Sequence, residues 1–205
     1  MDVSAIAATW ALRATNEKGA STRLFNRRQE RSAPPSAWFT WHARIFGPGK
    51  RVLDLACGPG RHALLAAEYG SEVVAVDGDG ETISALEREV QRRDLHVKCL
   101  HLDLRTSKID AESFDIVMMF NYLDRNRMPD FLAAVRPGGY LLAETFLESQ
   151  RQQGWGPQSD EHLLKPGELM RLVEPFEAFL FREVVDMVDG RPAALASILA
   201  QRPAE

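Results

Sequence analysis

Long apolar runs are missing from this 205-residue sequence, and cysteine is rare, with only Cys57 and Cys99 present. No stretch reaches the roughly 18 apolar residues of a membrane span, so we expect no membrane insertion. The two cysteines lack the Cys-x-x-Cys spacing of zinc and redox sites, which predicts two reduced thiols and no metal site. The first residues lack the cationic start and apolar run of a secretory signal, so we expect a cytoplasmic protein.

An excess of positive charge is also missing, because the formal net charge is −4 at pH 7. Nucleic-acid-binding proteins usually carry a basic face and a high isoelectric point, so we expect no nucleic-acid partner. Between Arg13 and Arg31, however, six basic residues stand against two acidic ones. This basic segment is either a solvated arm or a place where an arginine meets an anionic acceptor.

The composition fits one globular domain preceded by a cap. Residues 1–50 are predicted to form an N-terminal helical cap, and residues 51–205 the main part of the same domain. Within the cap, Pro34-Pro35 breaks the chain and Ser36 offers an N-cap for a helix over 37–46.

Strand and helix patterns alternate from residue 51 onward. Predicted strands cover 51–56, 72–76, 96–101, 114–120, 140–146, 176–185 and 193–200, and predicted helices cover 61–69, 81–93, 128–135 and 166–172. Such alternation predicts a parallel sheet with right-handed crossovers, closed by a hairpin at one edge. The alanine-rich segment 193–200 could equally be helical by propensity. The long polar stretch 147–164 is a candidate lid or binding loop.

In an open α/β sheet the ligand lies beyond the carboxyl ends of the strands, where Asp54 and Gly58-Pro59-Gly60-Arg61-His62-Ala63 follow the first strand. Glycines there let the backbone approach a ligand and leave amides available at a helix start, which indicates a nucleotide-like ligand. The GxGxxA pattern by itself fits a dinucleotide-binding loop, a methyltransferase loop or a plain tight turn.

Two more acidic residues follow the next strands. Asp77 lies 19 positions beyond Gly58, the spacing at which a carboxylate can accept both hydroxyls of a ribose. Asp103 could accept the exocyclic amine of an adenine while Leu104 offers its backbone amide to a ring nitrogen. The alternative for Asp103 is a cap of the following turn.

Together these residues resemble the class I S-adenosylmethionine-dependent methyltransferases. The resemblance rests on Val52 to Gly60, Asp77, Asp103, Phe114-Asp115-Ile116-Val117 and Arg136-Pro137-Gly138-Gly139. Cys-Gly-Pro-Gly-Arg-His, Ala143-Glu144-Thr145-Phe146 and 162–169 are most similar to the small tellurite-resistance (TehB-like) branch.

The resemblance implies an α/β, Rossmann-like, seven-stranded and mostly parallel sheet, with an antiparallel C-terminal hairpin strand and helices on both faces. It also implies S-adenosyl-L-methionine as the cofactor, its amino-acid part held near Asp54, Gly58 and Gly60, its ribose by Asp77 and its adenine by Asp103 and Leu104. The full set of expected cofactor-binding residues is Asp54, Ala56, Gly58, Gly60, Asp77, Gly78, Asp103, Leu104 and Asn121. The chain departs from its relatives at Gly78-Asp79-Gly80, where a larger residue commonly packs on the adenine.

The expected reaction is methyl transfer to a small-molecule acceptor, namely a thiol, a chalcogen oxyanion or another metabolite. Such an in-line displacement needs positioning and at most a base or cationic clamp. Tyr122, His162 and Arg61 are the predicted catalytic residues, with His62 and Glu144 as further candidates, and Trp155 either closes over the acceptor or packs on the domain. Residues 121–125 lack the Asn-Pro-Pro-Tyr signature of base-amine methylation, so we expect no DNA acceptor.

Two other functions stay open. A nicotinamide-dependent (NAD) oxidoreductase could use the same glycine turn, although it leaves Asp54 and Asp103 without a role. A non-catalytic cofactor-binding protein is the other alternative. The sequence leaves the oligomeric state open.

Overall fold

The computed structural model describes residues 33–204, so the basic segment and the start of the predicted cap lie outside the described residues. The chain divides into two units, Met1–Pro34 and Pro35–Glu205, and the second unit is described below. Residues 35–50, the end of the predicted cap, belong to this second unit.

Seven strands form one sheet with the order β3-β2-β1-β4-β5-β7-β6. The strands are β1 Arg51–Leu55, β2 Glu72–Asp77, β3 Val97–His101, β4 Phe114–Phe120, β5 Val135–Phe146, β6 Glu177–Val188 and β7 Arg191–Gln201. The first five strands pair in parallel, whereas β7 runs antiparallel between β5 and β6. The predicted fold class is confirmed, and the alanine-rich segment is a strand.

Five α-helices accompany the sheet in the described residues. They are α1 Ala37–Trp41, α2 Arg61–Glu68, α3 Gly80–Arg93, α4 Met128–Ala134 and α5 Glu168–Leu172. The helix predicted over 37–46 is shorter, because α1 ends at Trp41 and a 3₁₀ turn follows over Ala43–Ile45. Local capping explains two of the starts: Ser36 accepts from the Trp38 amide, and Asp79 accepts from the Glu81 and Thr82 amides.

The core lies on both faces of the sheet. Helices α1, α2 and α3 bury residues such as Phe39, Leu64 and Leu86 against one face. Helices α4 and α5 bury residues such as Phe131 and Leu169 against the other face. Strand β4 is buried along its whole length, as expected of a central parallel strand covered on both faces.

Two segments that sequence patterns left loosely defined take a specific form. Strand β5 begins at Val135, five residues before the predicted start, and so includes the Arg136-Pro137-Gly138-Gly139 motif. The stretch 147–164 contains two 3₁₀ helices, Glu148–Gln153 and Asp160–His162. Within residues 33–204 we find no helix with the length and apolar character that a bilayer crossing demands.

Candidate functional site

The carboxyl ends of the parallel strands bring the predicted cofactor-binding residues to one edge of the sheet. Asp77, the last residue of β2, is in register with His101, the last residue of β3. The Cys57 amide donates to the carbonyl of Val76 at 2.9 Å and so ties the turn after β1 to β2. Ala56 has a left-handed backbone with φ of 51°, an uncommon conformation for alanine that redirects the chain at the end of β1.

Asp54 is the most unusual ionisable group at this edge. Its side chain is 1% exposed, and within residues 33–204 its Oδ2 atom has no hydrogen-bond partner. Burial raises the pKa of Asp54 to about 7, and the neighbouring Asp77 charge adds to the rise. A hydrogen bond from the Ala63 amide and the charge of Arg61 act in the opposite direction. A buried carboxyl group with an unused oxygen is suited to receive a cationic group.

Asp77 connects the turns that follow β1 and β2. Its Oδ2 accepts the Gly58 amide at 2.8 Å, and its Oδ1 accepts the Asp79 amide at 2.9 Å. The carboxylate is thereby held in one orientation while the residue stays partly exposed. Each carboxylate oxygen can accept a further bond, so a diol could still be bound here.

The two glycines of the first turn differ in what surrounds them. A Cβ atom on Gly58 would meet nothing within 4 Å, so there is open space over this position. A Cβ atom on Gly60 would lie 2.3 Å from Cδ1 of Leu86, and the Gly60 amide already donates to Cys57. Gly58 therefore fits the predicted approach to a ligand, whereas Gly60 is required for the packing of α3 against this turn.

Asp103 is exposed at the end of β3 and makes an ion pair that the sequence did not reveal. Its Oδ1 accepts from the backbone amide of Arg105 at 3.0 Å and from Nε of the same residue at 3.1 Å. These hydrogen bonds from Arg105 lower the pKa of Asp103, which is therefore ionised at neutral pH. The side chain of Leu104 is buried, and within residues 33–204 its amide has no hydrogen-bond partner.

Gly78 lies in the exposed turn between Asp77 and α3. A Cβ atom there would approach only the Leu102 carbonyl, at 3.8 Å, so the position has room for a ligand. The His101 ring contacts this turn, with its Nε2 atom 3.2 Å from the Gly78 carbonyl oxygen. His101 also lies 3.1 Å from a Cβ placed on Gly80, which explains a second glycine here.

The segment after β4 carries Asn121 and Tyr122. Asn121 has φ of 56° and donates its amide to the Glu144 carbonyl at 2.8 Å, which leaves its side chain exposed. The Tyr122 ring is half-buried, 6.2 Å from the ring of Phe131. Burial, and after it the charges of Asp124 and Asp103, raise the pKa of Tyr122. The phenol therefore stays protonated at neutral pH, which favours hydrogen bonding over action as a base.

His62 and Glu144, the further candidates for a base or clamp, are both buried in structural contacts. His62 Nε2 accepts the Ser36 amide at 3.0 Å, and its ring stacks on Phe120 at 3.9 Å between centroids. Burial, and less strongly Arg61, hold the pKa of His62 well below its usual value, so it is neutral. Glu144 accepts hydrogen bonds from the hydroxyls of Ser36 and Ser197. Nε2 of His62 and both carboxylate oxygens of Glu144 are therefore engaged by structural partners.

The remaining predicted residues lie at the start of α2 and in the loop 147–164. Arg61 is partly exposed at the start of α2, close enough to Asp54 and His62 for its charge to act on both. His162 is exposed, and within residues 33–204 its side chain makes no hydrogen bond. Trp155 packs on the domain, since its indole nitrogen donates to the Pro192 carbonyl at 2.7 Å and its ring meets Phe146 edge to face.

Three residues near the site were missed by sequence reasoning. Arg125, Gln150 and Arg182 each hold a segment that borders the edge, through contacts more than 14 positions apart in sequence. Arg125 could have been noticed as the one cation in the predicted segment 121–125. Gln150 is fully buried within a polar loop, and no local pattern predicts that.

Part of the chain is similar to known proteins. Residues 52–139 match a family described as a methyltransferase domain. Over 107 residues the chain is 30% identical to the probable S-adenosyl-L-methionine-dependent methyltransferase TehB of Haemophilus influenzae. The aligned region covers 49% of this chain and 37% of that protein. The chain therefore spans well under half the length of this curated relative.

Solved structures show the same fold. The crystal structure of TehB from Haemophilus influenzae has a TM-score of 0.69 at 22% identity, covering 80% of this chain and 61% of that one. The [4+2]-cyclase SpnF also has a TM-score of 0.69, at 14% identity, covering 93% and 85%. Because a cyclase shares this fold, the fold alone does not identify the reaction.

Proposed function

We propose, since residues 52–139 match a family described as a methyltransferase domain, that this chain binds S-adenosylmethionine at the carboxyl ends of β1, β2 and β3 and methylates a small molecule. The observation that carries the proposal is that two carboxyl groups in different environments lie at that edge. Asp54 is buried with an unused oxygen, and Asp77 is oriented by the Gly58 amide. A ligand with a cationic amino-acid part and a ribose satisfies both.

The residues present fit this cofactor. Asp54 would receive the ammonium group of its amino-acid part, and Asp77 would receive the ribose hydroxyls. The open space over Gly58 gives the ligand room to approach the backbone. Asp103 would accept from the exocyclic amine of the adenine, and the amide of Leu104, which has no partner within residues 33–204, would donate to a ring nitrogen. Ala56, Gly78 and Asn121 complete the predicted set as backbone or rim positions.

When bound, this cofactor supplies an activated methyl group on a sulfonium centre, so the acceptor's lone pair forms the new bond as the carbon–sulfur bond breaks. The protein's part is to align the acceptor and exclude water. Tyr122 can donate a hydrogen bond, His162 can accept the proton that a thiol acceptor loses, and Arg61 can attract an anionic acceptor. The acceptor class we propose is a thiol, a chalcogen oxyanion or a comparable metabolite.

Isothermal titration with S-adenosylmethionine, S-adenosylhomocysteine and NAD is the first test. We expect micromolar binding of the first two ligands and none of NAD. Binding of NAD alone would overturn the proposal in favour of an oxidoreductase. The sheet argues against that alternative, because next to β4 and β5 it has the antiparallel strand β7 where the second mononucleotide-binding half has a third parallel strand.

Two variants locate the cofactor within the site. Asp77→Ala and Asp103→Ala should each weaken S-adenosylhomocysteine binding by about 10- to 150-fold, the loss expected for one charge-assisted hydrogen bond. Asp110→Ala, an exposed residue away from the strand ends, is the control. If both site variants bind normally, the cofactor does not lie at this edge.

Transfer of a labelled methyl group to tellurite, to small thiols and to other metabolites tests turnover. Product with any of them establishes a methyltransferase with a small acceptor. Cofactor binding without transfer to any member of the panel would instead favour the non-catalytic alternative.

A further inference from the structure

The loop between β5 and α5 is fixed to the domain by buried polar contacts. Gln150 accepts the Ala194 amide at 2.7 Å through Oε1 and donates to the Trp155 carbonyl at 2.9 Å through Nε2. At the two ends of the loop, Leu147 and Leu164 form an isolated parallel bridge. Residues 147–164, here called the shelf, are therefore bonded to β7 through Gln150 and closed at their two ends by the Leu147–Leu164 bridge.

One arginine from the segment after β4 organises the far part of this shelf. Arg125 donates through Nη1 to the carbonyls of Asp160 and Glu161, both at 3.2 Å, and through Nη2 to the carbonyl of Leu163 at 2.7 Å. Its Nε and Nη2 atoms also bind the two carboxylate oxygens of Glu168, at 2.7 and 3.0 Å.

The carboxylate of Glu168 holds the guanidinium in place from the other side. Glu168 Oε2 also accepts the Lys165 amide at 2.8 Å, so its own position is fixed by the chain that ends the loop. The Arg125 side chain is 32% exposed and that of Glu168 is 15% exposed, so the pair is partly withdrawn from solvent. Only a planar fork of five donors can serve three carbonyls and a bidentate carboxylate at once.

The carbonyls on either side of His162 therefore point towards Arg125, while the imidazole is exposed on the turn. Arg125 lies three positions after Tyr122, on the same segment. The guanidinium thus links the backbone of the turn that carries His162 to the segment that carries Tyr122.

We propose that Arg125 is a positioning residue that fixes the 160–163 turn, and with it His162, relative to the segment after β4. The inference rests on the proposed function for the role of His162, but the fixing of the turn can be measured without it. Arg125 would act through the geometry of the acceptor side and not through contact with the cofactor.

Hydrogen exchange of the full chain tests the fixing of the turn. In Arg125→Gln we expect the amides of His162 and Leu163, which bond within the turn, to exchange at least about tenfold faster, because three donors to the turn are lost. Arg125→Lys should fail to restore protection, because an ammonium lacks the fork.

Two controls separate a clamp on the turn from a general loss of stability. Arg127→Gln removes a neighbouring arginine that binds the Ser107 carbonyl instead, so it should leave the turn protected. Glu168→Gln removes the charge but keeps the bonds from Arg125 to the carbonyls, so we expect a smaller effect. Equal exchange in Arg125→Gln and wild type, or a uniform increase over the whole chain, would overturn the inference.

A kinetic arm tests the link to His162, using tellurite and dithiothreitol as acceptors. Arg125→Gln should raise KM for the acceptor while the affinity for S-adenosylhomocysteine changes by less than about twofold, because the clamp lies outside the cofactor contacts. Losses in Arg125→Gln and His162→Ala should be less than additive, since one residue acts through the other. Full additivity overturns the link.

If wild type transfers to neither acceptor, the proposed function is in question, whereas the exchange result still decides whether Arg125 fixes the turn.

Discussion

The hydroxyl of Ser36 donates a hydrogen bond of 2.5 Å to Oε1 of Glu144, and so joins the start of α1 to the end of β5 across 108 positions of sequence. The same hydroxyl caps α1 by accepting the Trp38 amide at 3.0 Å. The Ser36 amide donates to Nε2 of His62. One small residue thus connects a helix, the central sheet and the helix that follows the glycine turn.

The other oxygen of Glu144 completes a buried polar row across the sheet. Its Oε2 accepts from the Ser197 hydroxyl at 2.7 Å and from Nη2 of Arg182 at 3.2 Å. The guanidinium of Arg182 in turn lies 5.0 Å from the Trp38 ring and 4.7 Å from the Trp41 ring. Because both of its carboxylate oxygens bind structural partners, Glu144 anchors α1 on the sheet.

Ser36→Ala should therefore reduce the free energy of unfolding by about 1–3 kcal/mol, because both the helix cap and a donor to a buried carboxylate are lost. Urea denaturation measures the change. Thr40→Ala, which removes an exposed hydroxyl from the same helix, is the matched control and should cost about 0.5 kcal/mol or less. Equal losses in the two variants would contradict the role of the Ser36–Glu144 contact.

The stability of the protein should depend on pH through His62. Because the folded-state pKa of His62 is depressed, only the unfolded chain takes up this proton below its ordinary pKa of about 6.5. The free energy of unfolding should then fall on acidification by about 1.4 kcal/mol per pH unit for this group.

His62→Gln isolates that slope, since glutamine can still accept the Ser36 amide but does not titrate. The comparison with wild type is needed because Asp54 acts in the opposite direction: its raised pKa favours the folded state as the pH falls from about 7. Unfolding curves for both proteins between pH 5 and pH 7 should diverge towards low pH. Parallel curves would show that His62 takes up its proton equally in the folded and the unfolded chain.

Cofactor binding should release a proton from Asp54 near neutral pH. With a folded-state pKa of about 7, Asp54 is about half protonated at pH 7, and an ammonium group placed beside it favours the carboxylate. Titration of S-adenosylhomocysteine in phosphate and in Tris at pH 7 should therefore give different heats, corresponding to about half a proton released.

Asp54→Asn should abolish this buffer dependence and weaken binding. Asp115→Asn is a control, because Asp115 is also buried but lies at the amino end of β4, where it pairs with Arg136 and the Arg51 amide. Buffer dependence that survives Asp54→Asn would assign the proton to another group.

Alanine at the two glycines of the turn after β1 should affect different properties, namely stability at Gly60 and ligand binding at Gly58. Gly60→Ala should lower the free energy of unfolding by about 1–3 kcal/mol more than Gly58→Ala, because its Cβ would collide with the buried Leu86. Both variants also carry the left-handed backbone penalty, at φ of 80° and 53°.

Gly58→Ala should instead weaken S-adenosylhomocysteine binding more strongly, since its Cβ enters the open space over the turn. Urea denaturation and calorimetry on both variants give the two comparisons. A Gly60→Ala protein as stable as Gly58→Ala would show that Leu86 can move aside.

The order of strands and helices, and the edge where the ligand-binding residues meet, could be read from the sequence. Apolar runs that end at Gly58, Asp77 and Asp103 are local signals, and the rules for parallel sheets then bring the three turns together. Local signals were less informative for 193–200, where alanines favour a helix by propensity. Pairing with β5 on one side and β6 on the other decides for a strand, since small side chains such as Ala194 and Ala196 fit between covered faces.

The partners of individual polar side chains were decided by the tertiary structure alone. Nothing near Glu144 in sequence marks it as the acceptor for Ser36, and nothing near Arg125 marks the carbonyls of 160–163 as its targets. The two glycines look alike in sequence but face open space and Leu86, respectively. Hydrophobic periodicity and turn chemistry act over a few residues and are written in the sequence, whereas hydrogen bonds, burial and pKa shifts depend on groups that only folding brings together.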